Sequence, residues 1–201
     1  ALYVAQSKPL EFTDEAIAQG VGPASRLLLK FGIFFFDYDL DGMLDLLTAN
    51  GHLEEELTKV QQSQHYRQPA QLFWNRGAGT GQGFVSVPET MSGPDLVKPI
   101  VGRGSAFADI DGDGDLDVVA GSSTARSGTP WADHAIHFYE NGLGGSSLRL
   151  SGLATGTRVD VTAAGITQTL EVSGGYGLWG MHHDTALTLG LDGECAVEDI
   201  A

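Results

Sequence analysis

The sequence has few of the features that would allow it to bind nucleic acid, form disulfides or cross a membrane. Its 201 residues include 11 Lys and Arg against 26 Asp and Glu, for a formal net charge of -15. This excess of negative charge argues against nucleic acid or an anionic membrane surface as a partner. A single cysteine, Cys195, excludes an intrachain disulfide framework. The longest apolar run, Phe31–Phe36, is too short for membrane insertion.

Motifs typical of common enzyme classes are also missing. The sequence has no nucleophile elbow, phosphate-binding loop or dinucleotide fingerprint, because glycine-rich residues 77–83 and 102–104 lack the lysine or the strand–helix context. His134 and His137 are three apart on a predicted strand, where their side chains would point to opposite faces, so a zinc site is disfavoured. We therefore expect no enzymatic activity.

Two short loops instead concentrate the acidic residues. Residues 37–45 read DYDLDGMLD and residues 109–117 read DIDGDGDLD, and apolar runs flank both. So many carboxylates in nine positions repel one another unless a cation offsets their charge, and hard cations that take oxygen ligands fit best. The repeated pattern predicts two Ca²⁺ sites, although a solvated acidic turn without metal is the alternative.

The spacing predicts which atoms would bind each ion. When such a loop curls, the side chains at positions 1, 3 and 5 converge, position 7 offers its carbonyl and position 9 closes the shell. The predicted ligands are the side chains of Asp37, Asp39, Asp41 and Asp45 with the Met43 carbonyl, and those of Asp109, Asp111, Asp113 and Asp117 with the Asp115 carbonyl. An EF-hand is excluded because position 12 is Thr48 or Ala120 rather than glutamate, and because strand patterns flank both loops.

Strand patterns repeat around the two loops. Each unit is predicted to have four strands with the acidic loop between the first two, and Asn75 and Asn141 follow matching aromatic strands. The predicted strands are Leu27–Phe36, Asp45–Ala49, Gln71–Asn75 and Phe84–Val87, then Ser105–Asp109, Leu116–Ala120 and Ala135–Tyr139, with Ser147–Leu150 following. Residues 53–66 suit a short surface helix. This organisation is typical of β-propeller blades.

The composition changes near Ser146, after which charged residues become sparse and short β-rich runs follow. We therefore predict an all-β protein with two calcium-loop blades in residues 1–145 and a small β domain in residues 146–201. A propeller generally has at least four blades, so two blades cannot close a ring. Further blades, a protein partner or a larger assembly would be needed to cover the open edges.

The loops and the C-terminal segment resemble known families. Residues 36–42 and 107–117 resemble FG-GAP/VCBS repeats, the calcium-loop blades of integrin-type β-propellers. Segments 156–161, 168–175 and 187–191 resemble the ASPIC/UnbV module that follows such repeats, and the combination is similar to the C-terminal part of bacterial relatives of cartilage acidic protein. The resemblance implies an extracellular, cell-surface or periplasmic location, where calcium is abundant.

These observations favour a non-enzymatic, calcium-stabilised binding or scaffold module that interacts with proteins. Two alternatives stay open at this point. The chain could be an accessory or catalytic part of a larger propeller enzyme, because propellers also host active sites at their central channel. It could also be a structural subunit of a multi-protein complex that uses its open blade edges for strand addition.

Overall fold

The computed structural model describes residues 1–77, 81–123, 135–172, 186–194 and 197–201. These residues form an all-β protein, as predicted, with several antiparallel sheets and three helices of one turn. The strands are β1 Tyr3–Ala5, β2 Phe12–Asp14, β3 Lys30–Phe36, β4 Asp45–Asn50, β5 Gln71–Asn75, β6 Phe84–Ser86, β7 Gly102–Ala108, β8 Asp117–Ser122, β9 Ala135–Tyr139, β10 Ser147–Leu150, β11 Arg158–Ala163, β12 Ile166–Glu171, β13 Leu187–Gly190 and β14 Asp199–Ile200. The helices are α1 Val21–Ser25, α2 Leu57–Val60 and α3 Glu89–Ser92.

The first blade is a four-stranded antiparallel sheet in the order β3-β4-β5-β6, as the repeat pattern predicts. In β3, Phe34 and Phe36 are buried whereas Ile33 and Phe35 are about half exposed, so the side chains alternate between the two faces of the sheet. All six residues of the central strand β4 are buried. The acidic loop at residues 37–45 joins β3 to β4.

The second blade differs from the prediction of four strands. In the described part of the chain it consists of β7-β8-β9, with the second acidic loop between β7 and β8. Strand β10, which follows β9 in the sequence, pairs with β13 instead. The reason is packing: Leu148 and Leu150 of β10 contact a separate C-terminal core formed around Val159, Val161 and Leu189.

The two blades share one hydrophobic core. Phe34 and Leu47 of the first blade and Val118 of the second belong to the same buried cluster, and Phe107 packs against it. The rings of Phe34 and Phe107 are 5.0 Å apart between centroids. The strands that enter the two loops, β3 and β7, therefore lie next to each other, and the described sheets do not close into a ring.

The C-terminal residues form two small sheets, β10-β13 and β12-β11-β14. An N-terminal β1-β2 hairpin, which the sequence analysis did not predict, lies before the first blade. The predicted surface helix within residues 53–66 is the single turn α2. No helix in the described ranges is long and apolar enough to cross a membrane. Cys195 and His134 lie outside the described residues.

Candidate metal centres in the two acidic loops

The first loop brings three of its four predicted side-chain ligands together. Asp37, Asp39 and Asp45 each offer one carboxylate oxygen, and these three oxygens lie within 4.8 Å of one another. Ca²⁺ binds oxygens at 2.3–2.6 Å, so ligands on opposite sides of the ion are about 5 Å apart. Asp37 is the last residue before the loop turns and Asp45 begins β4, which places both carboxylates at the base of the loop.

The backbone of this loop curls around Asp37. Leu40 and Gly42 both have positive φ, at 59° and 86°, so the backbone bends sharply at these two positions. The amides of Asp41 and Gly42 then donate to the Asp37 carboxylate at 3.1 and 2.9 Å. Asp41 lies outside the group of three, and its Oδ1 accepts the Met43 amide at 2.8 Å.

Burial makes the charged form of these carboxylates costly. Desolvation is the largest cause in each case, and it raises the pKa of Asp37 to about 7, of Asp39 to about 6 and of Asp45 to about 8. The charges of neighbouring aspartates raise these pKa values further, whereas backbone amides from Gly42 and Asn75 oppose the rise. Asp39 Oδ1 is buried without a hydrogen-bond partner. A cation here would satisfy this atom and relieve the repulsion.

The second loop gathers a different set of positions. Asp109, Asp111 and Asp113 each place one oxygen within 4.8 Å of the others, whereas Asp117 lies outside this group. Asp111 and Asp113 are exposed to solvent, unlike the buried carboxylates Asp37 and Asp45 of the first loop. The donor set is again oxygen only, which fits calcium or another hard cation rather than zinc.

The last aspartate of each loop also joins the strands of its blade. Asp45 accepts the amides of Tyr38 at 3.1 Å and Asn75 at 2.7 Å. Asp117 accepts the amides of Ile110 at 3.0 Å and Asn141 at 2.9 Å in the same arrangement. Each carboxylate therefore connects the start of its loop to the end of the third strand. The matching positions of Asn75 and Asn141 in the sequence are the signal for these contacts with Asp45 and Asp117, which the sequence did not lead us to predict.

The side chain of Asp115 has a role that the spacing did not predict. Only its carbonyl was a predicted ligand, yet its carboxylate is buried, with a pKa that desolvation raises to about 6. Its Oδ2 accepts the Gly144 amide at 3.0 Å, and its Oδ1 is buried without a partner. The Met43 and Asp115 carbonyls stay predictions as ligands.

Comparison with known families agrees with the loop pattern. A family model described as FG-GAP-like repeat matches residues 37–120, a stretch that begins at the first acidic loop and contains the second. The match supports the presence of FG-GAP repeats in this part of the chain. A search of curated proteins found no significant match.

Proposed function

We propose that this chain, in which residues 37–120 match the FG-GAP-like repeat, is a non-enzymatic, calcium-stabilised binding or scaffold module. The observation that carries the proposal is the first loop, where three carboxylates converge at 4.8 Å or less and one of their oxygens is buried without a partner. Such a cluster is destabilising by itself, so an oxygen-binding cation is the simplest way for the fold to retain it.

The chain's own residues would couple ion binding to folding. Asp37 and Asp39 lie on the loop, whereas Asp45 begins the next strand, so an ion bound by all three would hold the β3-β4 pair closed. When bound, calcium would supply the positive charge that these carboxylates lack. Because the cluster forms only in the folded chain, the free energy of ion binding adds to the free energy of folding.

The proposed setting is extracellular, cell-surface or periplasmic, and the proposed partner is a protein. FG-GAP repeats are typical of extracellular binding modules, and calcium is plentiful in that setting. The C-terminal sheets would be an ASPIC/UnbV-like module that begins near residue 146. In the described residues, β9 is an edge strand of the second blade with Ile136 81% and Phe138 48% exposed. This edge is a candidate place for a further strand or a partner.

Thermal melting with calcium and with chelator tests the calcium proposal. A saturating excess of about 100 times the dissociation constant would stabilise the wild type by about 2.7 kcal/mol per site. This corresponds to a rise in Tm of about 5–10 °C for a chain of this size. Asp39→Asn should lose the contribution of the first loop, because Asp39 provides the open oxygen of that cluster.

Asp199→Asn is the matched control, since Asp199 is an exposed aspartate of β14 outside both loops. It should melt like the wild type under both conditions. An identical Tm with calcium and with chelator, together with no calcium uptake by calorimetry, would contradict the proposal. A native mass far above 21.2 kDa would instead favour the alternative of a structural subunit.

A further inference from the structure

The C-terminal sheets contact the first acidic loop directly. Residues 190–192, at and just after the end of β13, form what we call the docking segment. The Gly190 amide donates to Asp37 Oδ2 at 3.1 Å, and the Asp192 amide donates to the Leu40 carbonyl at 3.0 Å. The Gln168 side chain on β12 donates to the Gly190 carbonyl and fixes the segment from behind. Asp37, a member of the first carboxylate cluster, is thus bound by the C-terminal sheets.

The fit at this contact is close and specific to the first loop. Leu40 is 2% exposed, and a Cβ on Gly190 would lie within 3.0 Å of Asp37 Oδ2 and of the Leu40 backbone. Glycine is therefore required at position 190. In the second loop, Gly112 occupies the position that Leu40 has in the first loop, and a Cβ on Gly112 would meet no described atom within 4 Å. Among the described residues, the second loop therefore has no equivalent contact at this position.

The docking segment brings negative charge to the first loop. The amide contact with Leu40 places Asp192 next to Asp41, and the Asp192 charge acts repulsively on Asp41. The Asp192 carboxylate is thereby added to the four carboxylates of the first loop. Without a cation this charge opposes docking, whereas a bound cation would be attracted to it.

The second loop receives a positive charge from the same domain. Arg149 on β10 donates from Nη1 to Asp109 Oδ2 at 3.2 Å. The Asp109 side chain is only 4% exposed, whereas Arg149 is 46% exposed. The guanidinium thus already neutralises one member of the second cluster, and it would repel a cation placed beside it.

We propose that the C-terminal domain makes the two loops unequal, with Asp192 strengthening calcium binding at the first loop and Arg149 weakening it at the second. By thermodynamic reciprocity, calcium at the first loop strengthens docking of the C-terminal domain on the first blade, and calcium at the second loop competes with Arg149. This inference rests on the proposed function, since both loops must bind calcium for it to hold.

Calorimetric titration of each loop with calcium, in the full chain at low ionic strength, tests the proposal. Asp111→Asn removes the second site so that the first is measured alone, and Asp39→Asn does the reverse. In the first background, Asp192→Asn should weaken calcium binding about threefold, because solvent screens the charge of an exposed carboxylate. In the second background, Arg149→Gln should tighten calcium binding by about three- to tenfold.

Two control variants change the same charges elsewhere in the C-terminal domain. Asp199→Asn acts on β14, and Arg158→Gln removes an arginine whose ion-pair partner is Asp160. Both should leave the calcium affinities unchanged. A second measurement separates charge from general damage to the fold. In chelator, Asp192→Asn should raise the Tm, because the repulsion with Asp41 is removed, whereas the gain in Tm on adding calcium should shrink.

The possible outcomes distinguish this inference from the proposed function. Calcium binding at both loops that neither Asp192→Asn nor Arg149→Gln alters would overturn the inference and leave the proposed function intact. Weaker binding at the second loop in Arg149→Gln would also overturn it. A wild type that takes up no calcium at either loop would overturn both.

Discussion

At the residue scale, two groups of loop carboxylates can be compared: those that join the strands of a blade, and one with an oxygen left unpaired. Asp45 and Asp117 each accept two backbone amides and so connect their strands whether or not an ion is present. Asp39 has an oxygen that no protein atom satisfies. Removing an acceptor of the first group leaves buried amides unpaired, which costs about 1–3 kcal/mol each. Removing Asp39 relieves charge repulsion instead. The two groups should therefore respond to mutation with opposite signs in chelator.

The raised pKa values predict how the stability of the ion-free protein depends on pH. In the unfolded chain these aspartates titrate near 3.8, whereas in the fold the pKa of Asp39 is about 6, that of Asp37 about 7 and that of Asp45 about 8. The folded state therefore holds protons more tightly than the unfolded state. Its extra stability is fully present below about pH 4, is lost progressively as the pH rises, and is gone once the pH has passed through the folded pKa values of about 6 to about 8.

Melting in chelator between pH 5 and pH 8.5 checks this prediction. We expect the Tm to fall by about 5–10 °C as the pH rises. Calcium should reverse the trend, because protons and calcium compete for the same carboxylates, so the calcium-dependent rise in Tm should grow with pH. A Tm in chelator that rises steadily over this range would show that the aspartates are ionised at little cost.

At the element scale, the strands next to the loops could be predicted from the sequence. Which strands pair with each other could be predicted only in part. The apolar run Leu27–Phe36 and the aromatic residues of Gln71–Asn75 predicted two strands of the first blade, and β3 and β5 confirm them. The partner of β10 is β13, about 40 residues further along the chain, with Arg149 opposite Thr188. Nothing local in Ser147–Leu150 specifies that partner, so the second blade has one strand fewer than the repeat predicts. The strands of the β1-β2 hairpin have only three residues each, too few to show a hydrophobic pattern, so the sequence did not predict them.

The local backbone conformation of the loops could not be predicted from the sequence either. The nine-residue spacing predicted that carboxylates converge, but not which three. In the first loop the Asp41 side chain, whose Oδ1 accepts the Met43 amide, lies outside the cluster. In the second loop Asp117 lies outside the cluster although it accepts the same pair of amides as Asp45, which lies inside. Such contacts depend on φ and ψ at single residues and leave no mark in the spacing of the motif.

The contact between β3 and β7 gives a prediction for the blade interface. A Cβ on Gly32 would lie within 3.0 Å of Ser105 Oγ and the Arg103 carbonyl oxygen. Gly32→Ala should therefore push the strands apart and destabilise the protein by about 1–3 kcal/mol. Urea unfolding measures this loss. Gly121→Ala is the matched control, because a Cβ there meets only the Gly104 carbonyl oxygen at an ordinary 3.6 Å. Equal stabilities of the two variants would contradict close packing of the blades.

At the scale of the whole molecule, both acidic loops contact the C-terminal sheets or the segment that leads to them. The first loop is held by Gly190 and the second by Arg149, while Gly144 binds Asp115 from the connecting segment. The two carboxylate clusters thus lie on the side of the blades that the C-terminal sheets contact. Ion binding and the packing of these sheets on the blades are therefore expected to be linked rather than independent.

Substitution of Asn141 tests the linkage between the second blade and the first loop. Its side-chain amide donates to the Tyr38 carbonyl at 2.7 Å, which fastens the end of the second blade to the first loop. Asn141→Ala should destabilise the protein by about 1–2 kcal/mol. It should also weaken calcium binding at the first loop, because Tyr38 lies between two members of that cluster. Urea unfolding and calorimetry measure the two effects.

Asn75→Ala is the matched control for this prediction, since the Asn75 side chain bonds to the Leu44 carbonyl within the first blade. It should cost a similar amount of stability without joining the two blades. If Asn141→Ala unfolds like the wild type and keeps its calcium affinity, the bond to Tyr38 does not connect the blades energetically.

The contact between Gly190 and Asp37 also has a consequence during synthesis. Residues 37 and 190 are separated by 153 positions, and ribosomes add about 5–20 residues per second, so about 8–30 s pass between their synthesis. During that interval the first blade can assemble from contacts that are close in sequence, but Asp37 lacks the amide that later covers it. An ion captured early by the first loop would hold the half-built blade in its final shape until the last strands arrive. Where the emerging chain enters a calcium-rich compartment, the ion would then act as a temporary substitute for the C-terminal sheets.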